Sequence, residues 1–506
     1  MIQRSVWLAM LFVAIASVRI AATYRVFSFT IDEPGHFACG LEYLSKHVYR
    51  YETQHPPLAR AMIALGPYLA GVRPLNDPNR NVEGRAVMLR SGHLERTLVL
   101  MRMGILPFFW LACGVVYFWS RRCFDSRTAA AAVALFTLLP PVLAHAGLAS
   151  TDMALAACVG AAFCALVVWA GRPSLRHGVV LGVAAALAAL AKFTALVYLP
   201  AAAVVALVFY LAAFRPALPK IAALARERAP TFVLAALTGA LIIWAGYWFS
   251  FGKLPAPEFF DGLLSAQSHD RGGHPAYLLG KYSLNGWWYY FPVVLAVKTP
   301  IAFLILAAIG IFANRVVLAY CLGILIPAMI GHVDIGVRLI LPVYIGLAIM
   351  AATGFIRLIT APSRWRLGTG LLLMAWMALA GALQNPDYLS YFNELAARHP
   401  ANVLVDSDLD WGQDTKRLAA RLRQLGVQDV SLMLIEPLTW PLPVEEDLRR
   451  YYGLPRIEAV DAESPHKGWN VISPTVARTL VLPFQPWYDR IPPTEKVGAL
   501  RLYYVP

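Results

Sequence analysis

Long apolar stretches separated by short polar turns fill the chain from its N-terminus to about residue 383. A helix that crosses a bilayer needs roughly 20 mainly apolar residues, and about eleven stretches approach that length. The pattern therefore predicts a multi-pass α-helical membrane protein. The expected spans are residues 6–24, 97–120, 128–147, 153–170, 176–191, 194–214, 230–251, 291–313, 316–331, 339–356 and 367–383.

Two longer polar regions flank or interrupt these stretches. In the first, residues 25–96, Pro34 suits the first turn of a helix, and apolar positions then recur at helical spacing, as in a helix lying on a membrane surface. A second surface helix is expected at residues 57–70.

The other region, residues 385–506, predicts a small α/β domain. Its expected elements are a helix at 415–425, stopped by Gly426, and strands at 430–435, 479–482 and 500–505. The predicted division is a membrane domain, 1–384, and a C-terminal domain, 385–506.

The composition, 58% apolar and 15% charged, excludes an ordinary soluble protein. The net charge is +14, and many of the cationic residues lie in short loops between the apolar stretches. Cationic short loops mark the cytoplasmic side of a membrane protein, so we expect no nucleic-acid partner. The N-terminus is then cytoplasmic, with loop 25–96 and the C-terminal domain on the outer side. The first span lacks a clear cleavage site and predicts a retained anchor. The cationic residues that indicate the cytoplasmic side are Arg4, Arg121, Arg122, Arg127, Arg172, Arg176, Arg215, Lys220, Arg226, Arg228, Arg315, Arg357, Arg364 and Arg366.

Candidate chemistry begins with the acidic pair Asp32-Glu33, just beyond the first span. The segment His55-Pro56-Pro57-Leu58-Ala59-Arg60 follows in the same outer loop. Asp32 is placed to accept a proton at the bilayer surface, while Arg60 neutralises an anionic leaving group. The alternative is a solvated loop boundary without a catalytic role.

Further charged residues lie where the topology places the outer ends of spans. They are Asp152, Lys192 and Arg338, with Lys298 several residues inside a span. Charges in or at the edge of a bilayer are costly and often functional. Structural alternatives remain open: a helix cap at Asp152, snorkelling lysines, and an Arg338–Asp334 ion pair. Together the charges favour a reaction on a lipid-linked substrate whose headgroup lies outside.

These motifs resemble the protein O-mannosyltransferases and the bacterial relatives that include the lipid A aminoarabinose transferases. The most specific part of the resemblance is the motif of the first outer loop, Asp32-Glu33 followed by residues 55–60. The later motifs follow in order along nearly the whole chain. Arg60 stands where the mannosyltransferases usually have lysine, and the C-terminal region shows no sign of their β-trefoil domain, so the sugar and the acceptor stay open. The matching later motifs are Ser150-Thr151-Asp152, Ala191-Lys192-Phe193-Thr194, residues 286–292 with Lys298-Thr299-Pro300, Gly336-Val337-Arg338 with Leu341-Pro342, and residues 406–414.

The resemblance implies a GT-C fold and an inverting transfer from a polyprenyl-phosphate-linked sugar to an acceptor hydroxyl. It implies catalytic roles for Asp32, as general base, and Asp152. The substrate-binding residues are then Glu33, His55, Arg60, Lys192 and Arg338. The expected partners are the lipid-linked donor, an acceptor glycan, lipid or protein, and the bilayer, and the expected location is a bacterial inner membrane. A transporter or flippase for a lipid-linked or anionic solute is the alternative.

Cofactor chemistry is less defined. Asp406, Asp408, Asp410 and Asp414 have spacing like a calcium loop, but Trp411 occupies the position where that loop needs glycine. The six cysteines show no CxxC spacing and no disulfide framework. The sequence predicts no definite cofactor and leaves a divalent metal as an open alternative.

Overall fold

The computed structural model of the chain describes residues 2–435 and 443–506. Within these residues, six helices are long and apolar enough to cross a membrane, or up to eight when two bent pairs are each counted as one span. Every predicted span contains a helix, but three spans correspond to a single helix of 17 residues or fewer, so the predicted count of eleven is not confirmed. The chain is nevertheless a multi-pass helical protein, as predicted.

The helices of the bundle begin and end as follows: α1 Ile2–Thr23, α5 Leu94–Met103, α6 Leu106–Cys123, α7 Ser126–Thr137, α8 Pro140–Ala146, α9 Asp152–Gly171, α10 Leu175–Ala191, α11 Ala195–Phe214, α12 Leu218–Gly246, α14 Tyr290–Lys298, α15 Ile301–Gly310, α16 Arg315–Ala328, α17 Val343–Ile359 and α18 Arg364–Leu383. The buried helix α9 packs against α6 and α10. Asp152 is its first residue.

Two of the predicted spans are bent instead of straight. The chain turns by 69° between α7 and α8 and by 114° between α14 and α15. Pro140 and Pro300 stand at these breaks. Proline lacks the backbone N–H of a helical bond and disfavours helical geometry in the residue before it, which explains both bends. The second bend leaves Lys298 at the end of α14.

The outer region before α5 folds into three helices: α2 Glu33–Lys46, α3 Pro57–Leu69 and α4 Arg80–Arg90. The first two lie where the sequence predicts surface helices, and α4 was not anticipated. Helices α2 and α3 approach closely at Gly40, where a Cβ atom would overlap the carbonyl group of Arg60. This contact fixes Arg60 beneath α2. A further helix, α13 Pro257–Gly272, and the hairpin β1 Ala276–Leu278 and β2 Lys281–Ser283 lie between α12 and α14.

The C-terminal region contains a five-stranded mixed sheet with strand order β4-β3-β5-β7-β6. Strand β3 pairs in parallel with β4 and β5, whereas β7 pairs antiparallel with β5 and β6. The predicted strand at 479–482 is wrong: Ser473 caps a short helix there, because its hydroxyl accepts a bond from the Val476 N–H and Pro474 suits the first turn. The bounds are β3 Asp429–Met433, β4 Arg456–Ala459, β5 Gly468–Ile472, β6 Glu495–Val497 and β7 Leu500–Val505, with α19 Thr415–Gln424, α20 Pro443–Tyr452 and α21 Pro474–Thr479.

Candidate active site

The centre of the candidate site is an ion pair between Asp32 and Arg338, which are 306 residues apart in sequence. Asp32 precedes α2 but its side chain does not cap that helix. Its carboxylate instead accepts a 2.9 Å bond from Nη1 of Arg338. The side chain of Asp32 is 38% exposed and that of Arg338 is 11% exposed. The pair therefore leaves part of the carboxylate open to a ligand.

Asp152 and Lys192 form a second ion pair, which is more deeply buried. Nζ of Lys192, directly after α10, lies 2.6 Å from Oδ1 of Asp152. Burial alone would lower the pKa of Arg338, but the carboxylates of Asp32, Asp152 and Asp406 raise it overall. The guanidinium of Arg338 thus interacts with both predicted catalytic carboxylates, and the structure brings the four residues of the two pairs into one charged cluster.

Glu33, the neighbour of Asp32, faces the protein interior. Its two carboxylate oxygens accept bonds from Nε and Nη2 of Arg102, both 2.9 Å long, and from the backbone N–H groups of Thr30 and Ala149. Burial alone would raise the pKa of Glu33, but Arg102 and these N–H groups lower it overall. Glu33 is fully buried, so this structure gives it a supporting position beneath Asp32 and no exposed atom for a substrate.

Arg60 is also fully buried and bonded within the protein. Its Nε donates to Nδ1 of His36 at 3.0 Å, Nη1 donates to the Tyr49 hydroxyl at 2.8 Å, and Nη2 forms an ion pair with Glu52. A guanidinium with these partners is a hub between α2, α3 and their connecting loop. The structure does not place Arg60 in contact with Asp32, whose cationic partner is Arg338.

The imidazole of His55 packs edge-on against that of His36, with ring centres 5.4 Å apart. Burial and the neighbouring Arg60 hold the pKa of both histidines well below the usual value. Asp152 and Lys192 also act on His36 electrostatically. The two rings are therefore neutral, and that of His36 is bonded to the Arg60 hub.

The acidic segment 406–414 of the C-terminal region joins both sides of the Asp32–Arg338 pair. On one side, the Asp408 carboxylate accepts a 3.0 Å bond from the Val337 N–H, and the Ser407 hydroxyl donates to the Ile335 carbonyl. On the other side, the backbone carbonyl of Trp411 accepts a 3.1 Å bond from the N–H of Ile31, the residue before Asp32. The segment thus connects the loop that carries Asp32 to the turn that carries Arg338.

The carboxylates of this segment have separate protein partners instead of facing one point. Asp410 accepts a bond from the Ser473 hydroxyl, and Asp414 accepts bonds from the Ala499 N–H and Arg417. Across the described residues, no group of three or more histidine, cysteine or acidic side chains could hold a metal ion. The calcium-like spacing therefore corresponds to structural hydrogen bonds.

Comparison with known proteins places this arrangement in a wider group. A family model described as dolichyl-phosphate-mannose-protein mannosyltransferase matches residues 103–248. The fold matches that of ArnT from Cupriavidus metallidurans bound to undecaprenyl phosphate, with a TM-score of 0.54, 15% sequence identity and 97% coverage of each chain. The apo structure of the same protein gives a TM-score of 0.51 at 15% identity, again covering 97% of each chain.

The chain therefore shares the fold of ArnT. This confirms the resemblance that its motifs indicate. The oligosaccharyltransferase of Archaeoglobus fulgidus also matches, at 14% identity and a TM-score of 0.45, over 95% of this chain and 62% of that one. No curated protein sequence matches the chain.

The structure gives three residues near this site partners that the sequence did not indicate. Lys298 was considered as a snorkelling residue, but it is 1% exposed and its Nζ donates to the carbonyls of Leu389 and Asp408. Arg102, the partner of Glu33, could have been recognised from the sequence as a candidate, because it is a charged residue inside a predicted span. From the sequence, Trp411 was interpreted only as the residue that stands where a calcium loop needs glycine. Its ring packs against the Arg338 guanidinium, 4.2 Å from Cζ to the ring centre.

Proposed function

We propose that this protein transfers a sugar from a polyprenyl-phosphate-linked donor to an acceptor hydroxyl, with inversion at the anomeric carbon. The observation that carries the proposal is the half-open Asp32 carboxylate, held by Arg338 beside the buried Asp152–Lys192 pair. The GT-C fold supports it, because the ArnT structure of the same fold holds undecaprenyl phosphate. Asp32 and Asp152 are the proposed catalytic residues.

In the proposed reaction, the acceptor oxygen attacks the anomeric carbon while Asp32 accepts the hydroxyl proton. The bond between that carbon and the phosphate oxygen breaks, and polyprenyl phosphate leaves with the electron pair. General-base assistance of this kind typically contributes about 10²–10⁴ in rate. The negative charge that develops on the phosphate is stabilised by nearby cations, for which Arg338 and Lys192 are available at the charged cluster.

The remaining predicted substrate-binding residues support this site from within. Glu33 holds the backbone around Asp32, whereas Arg60 is bonded to the carbonyl of His55 within the hub. We therefore propose that their effect on the substrate is indirect. Direct contacts with the donor phosphate are assigned to Arg338 and Lys192. These two cations are paired with Asp32 and Asp152, the proposed catalytic residues, and so lie where the reaction would take place.

The site is proposed to lie on the periplasmic side of a bacterial inner membrane. Asp152 begins α9 and Lys192 follows α10, while Arg172, in the turn between these helices, and Arg176, in the first turn of α10, lie at the opposite end of both. Cationic short loops favour the cytoplasmic side, so the reacting groups fall on the other face. The N-terminus is then cytoplasmic and the C-terminal region periplasmic. Acceptors consistent with this location are a glycan, a lipid or a protein.

The test begins with mass spectrometry of lipid-linked sugars and surface glycans in cells with and without the gene. Accumulation of one polyprenyl-phosphate sugar, together with a glycan that lacks this sugar, is expected and identifies the donor. The purified protein in vesicles should then release polyprenyl phosphate from that donor. Asp32→Asn should abolish release while the protein remains inserted and folded.

Asp77→Asn is the matched control, because Asp77 is an aspartate of the same outer region that bonds to Asn79 and lies outside the charged cluster. It should retain wild-type release. Turnover by Asp32→Asn at the wild-type rate would exclude Asp32 as the base. Movement of the intact lipid-linked sugar across the vesicle membrane, without release of polyprenyl phosphate, would instead support the transporter alternative, which neither the family match nor the fold match favours.

A further inference from the structure

We propose that Trp411 of the C-terminal region is a positioning residue that holds the Asp32–Arg338 pair in its reactive geometry. This inference rests on the proposed function, because it assigns the reaction to that pair. It gives the C-terminal region a part in the active site, which the sequence does not reveal. Trp411 itself touches neither the donor nor the acceptor in this proposal.

Trp411 contacts Arg338 directly and reaches Asp32 through the residue that precedes it. Its ring lies against the guanidinium of Arg338, 4.2 Å from Cζ to the ring centre. Its backbone carbonyl accepts a 3.1 Å bond from the N–H of Ile31, which directly precedes Asp32. The residue is 2% exposed. A movement of Trp411 would therefore displace the acid and the cation together.

The guanidinium of Arg338 has few other restraints. Nη1 is bonded to Asp32, whereas Nε is buried without a hydrogen-bond partner in the described structure. The face of the Trp411 ring is therefore the second contact that fixes the plane of the guanidinium. An aromatic face attracts a cation most strongly when the pair is shielded from water, as it is here.

Trp411 is itself fixed to the C-terminal sheet. Its backbone N–H donates to Oε1 of Gln413 at 2.7 Å. The preceding residue, Asp410, accepts the Ser473 hydroxyl through its side chain and the Thr475 hydroxyl through its carbonyl. Ser473 follows strand β5 directly. Hydrogen bonds thus join the sheet to the acidic segment, and Trp411 then contacts Arg338 through its ring and the Asp32 loop through its carbonyl.

The experiment compares Trp411→Phe and Trp411→Ala by the rate at which polyprenyl phosphate is released from the donor that accumulates in cells lacking the gene. Trp411→Ala should lower kcat by roughly ten- to thirtyfold, the range for loss of a shielded cation–aromatic contact. The KM for the donor should change less than kcat, because Trp411 does not touch the donor and the contact of Arg338 with the phosphate strengthens as the leaving group gains charge. Trp411→Phe keeps an aromatic face and should recover most of the loss.

Trp487 provides the matched control. It is a buried tryptophan of the same region, 4% exposed, whose ring packs on Tyr503 instead of on the site. Trp487→Ala and Trp487→Phe should retain wild-type kcat. A kcat for Trp411→Ala equal to wild type would overturn the proposal, as would an equal loss in Trp411→Phe and Trp411→Ala, or the same loss in Trp487→Ala.

A double-mutant comparison separates positioning from general destabilisation. In an Arg338→Lys background, where no planar guanidinium remains to be oriented, Trp411→Ala should lower kcat less than it does in the wild type. Fully additive losses would contradict the proposal.

If Asp32→Asn is as active as wild type, the proposed function itself fails. If Asp32→Asn is inactive while Trp411→Ala has normal kcat, only the role of Trp411 fails.

Discussion

Glu33 and Arg102 form a buried ion pair with two parallel bonds, directly beneath the carboxylate proposed to act as the base. Glu33 is adjacent to Asp32 in sequence, yet the two acids face opposite environments, one fully buried and one partly open. Because the Glu33 carboxylate also accepts the Thr30 and Ala149 N–H groups, it joins the loop before α2 to the loop before α9. The acidic pair thus combines one supporting group with the group that is proposed to react.

Replacing Glu33 should therefore reduce stability strongly. Glu33→Gln leaves the Arg102 guanidinium buried without its counter-charge, and removal of one partner of a buried pair typically costs about 3–5 kcal/mol. We expect a clearly lower thermal midpoint in detergent and a loss of transfer in proportion to the folded fraction. Glu227→Gln is the control, because Glu227 is 60% exposed in its pair with Arg228 and should change stability little. Similar midpoints for the two variants would contradict the supporting role.

Arg60→Lys tests the hub in the first outer loop. Lysine keeps the charge opposite Glu52 but lacks the planar group that reaches His36 and Tyr49 at the same time. We expect a loss of about 1–3 kcal/mol in unfolding free energy, since one or two buried bonds are left unmade. The kcat of the folded fraction should change little, whereas a direct role in phosphate binding would raise the donor KM. Arg73→Lys, at an exposed position of the same region, is the matched control.

The sequence predicted much of this site because topology sorts its charges. Asp32, Asp152, Lys192 and Arg338 lie at the ends of apolar stretches, and the cationic turns at the other ends indicate which side they share. Alternating helix direction then brings them to one face without knowledge of the packing. The expected helices α2, α3 and α19 could likewise be found from apolar spacing and helix stop signals.

The specific pairings could not be predicted, since they depend on tertiary packing. Arg338 was considered as a partner of the nearby Asp334, but it pairs with Asp32 across the bundle. Asp334 instead accepts a 2.7 Å bond from the Trp287 N–H. The bond between Ile31 and Trp411 joins residues almost 400 positions apart, and no periodic pattern encodes such a contact. The Asp406–Asp414 segment was evident as a motif, but its aspartates suggested a cation site and concealed the role of its tryptophan.

The Asp152–Lys192 pair can be separated into structural and chemical roles by a double replacement. Lys192→Met alone leaves Asp152 buried without its partner, which should lower stability by about 3–5 kcal/mol. In Asp152→Asn with Lys192→Met, both charges are absent and much of that stability should return. Transfer should nevertheless stay at least about 100-fold below wild type, because the charge of Lys192, proposed to stabilise the leaving phosphate, is absent. Wild-type transfer by the double variant would show that the pair is structural only.

Asp334 predicts a pH dependence of stability that is separate from the catalytic groups. It is 1% exposed, and one of its oxygens has no hydrogen-bond partner in the described structure. Burial raises the pKa of Asp334 to about 7, opposed by the bond from the Trp287 N–H and assisted by Asp270. Because the folded-state pKa lies above the unfolded value, this group's contribution to stability is fully present below the unfolded pKa and is lost as pH rises through about 7.

Asp334→Asn should remove this dependence, since the amide oxygen still accepts the Trp287 bond but carries no ionisable proton. Thermal midpoints in detergent, measured between pH 5 and pH 8, should fall with rising pH more steeply in the wild type than in this variant. Asp261→Asn is the control, because Asp261 is an exposed aspartate of α13. It should keep the wild-type slope. Equal slopes in the wild type and Asp334→Asn would show that Asp334 does not titrate in this range, and that the Trp287 bond alone is sufficient to keep the buried carboxylate ionised.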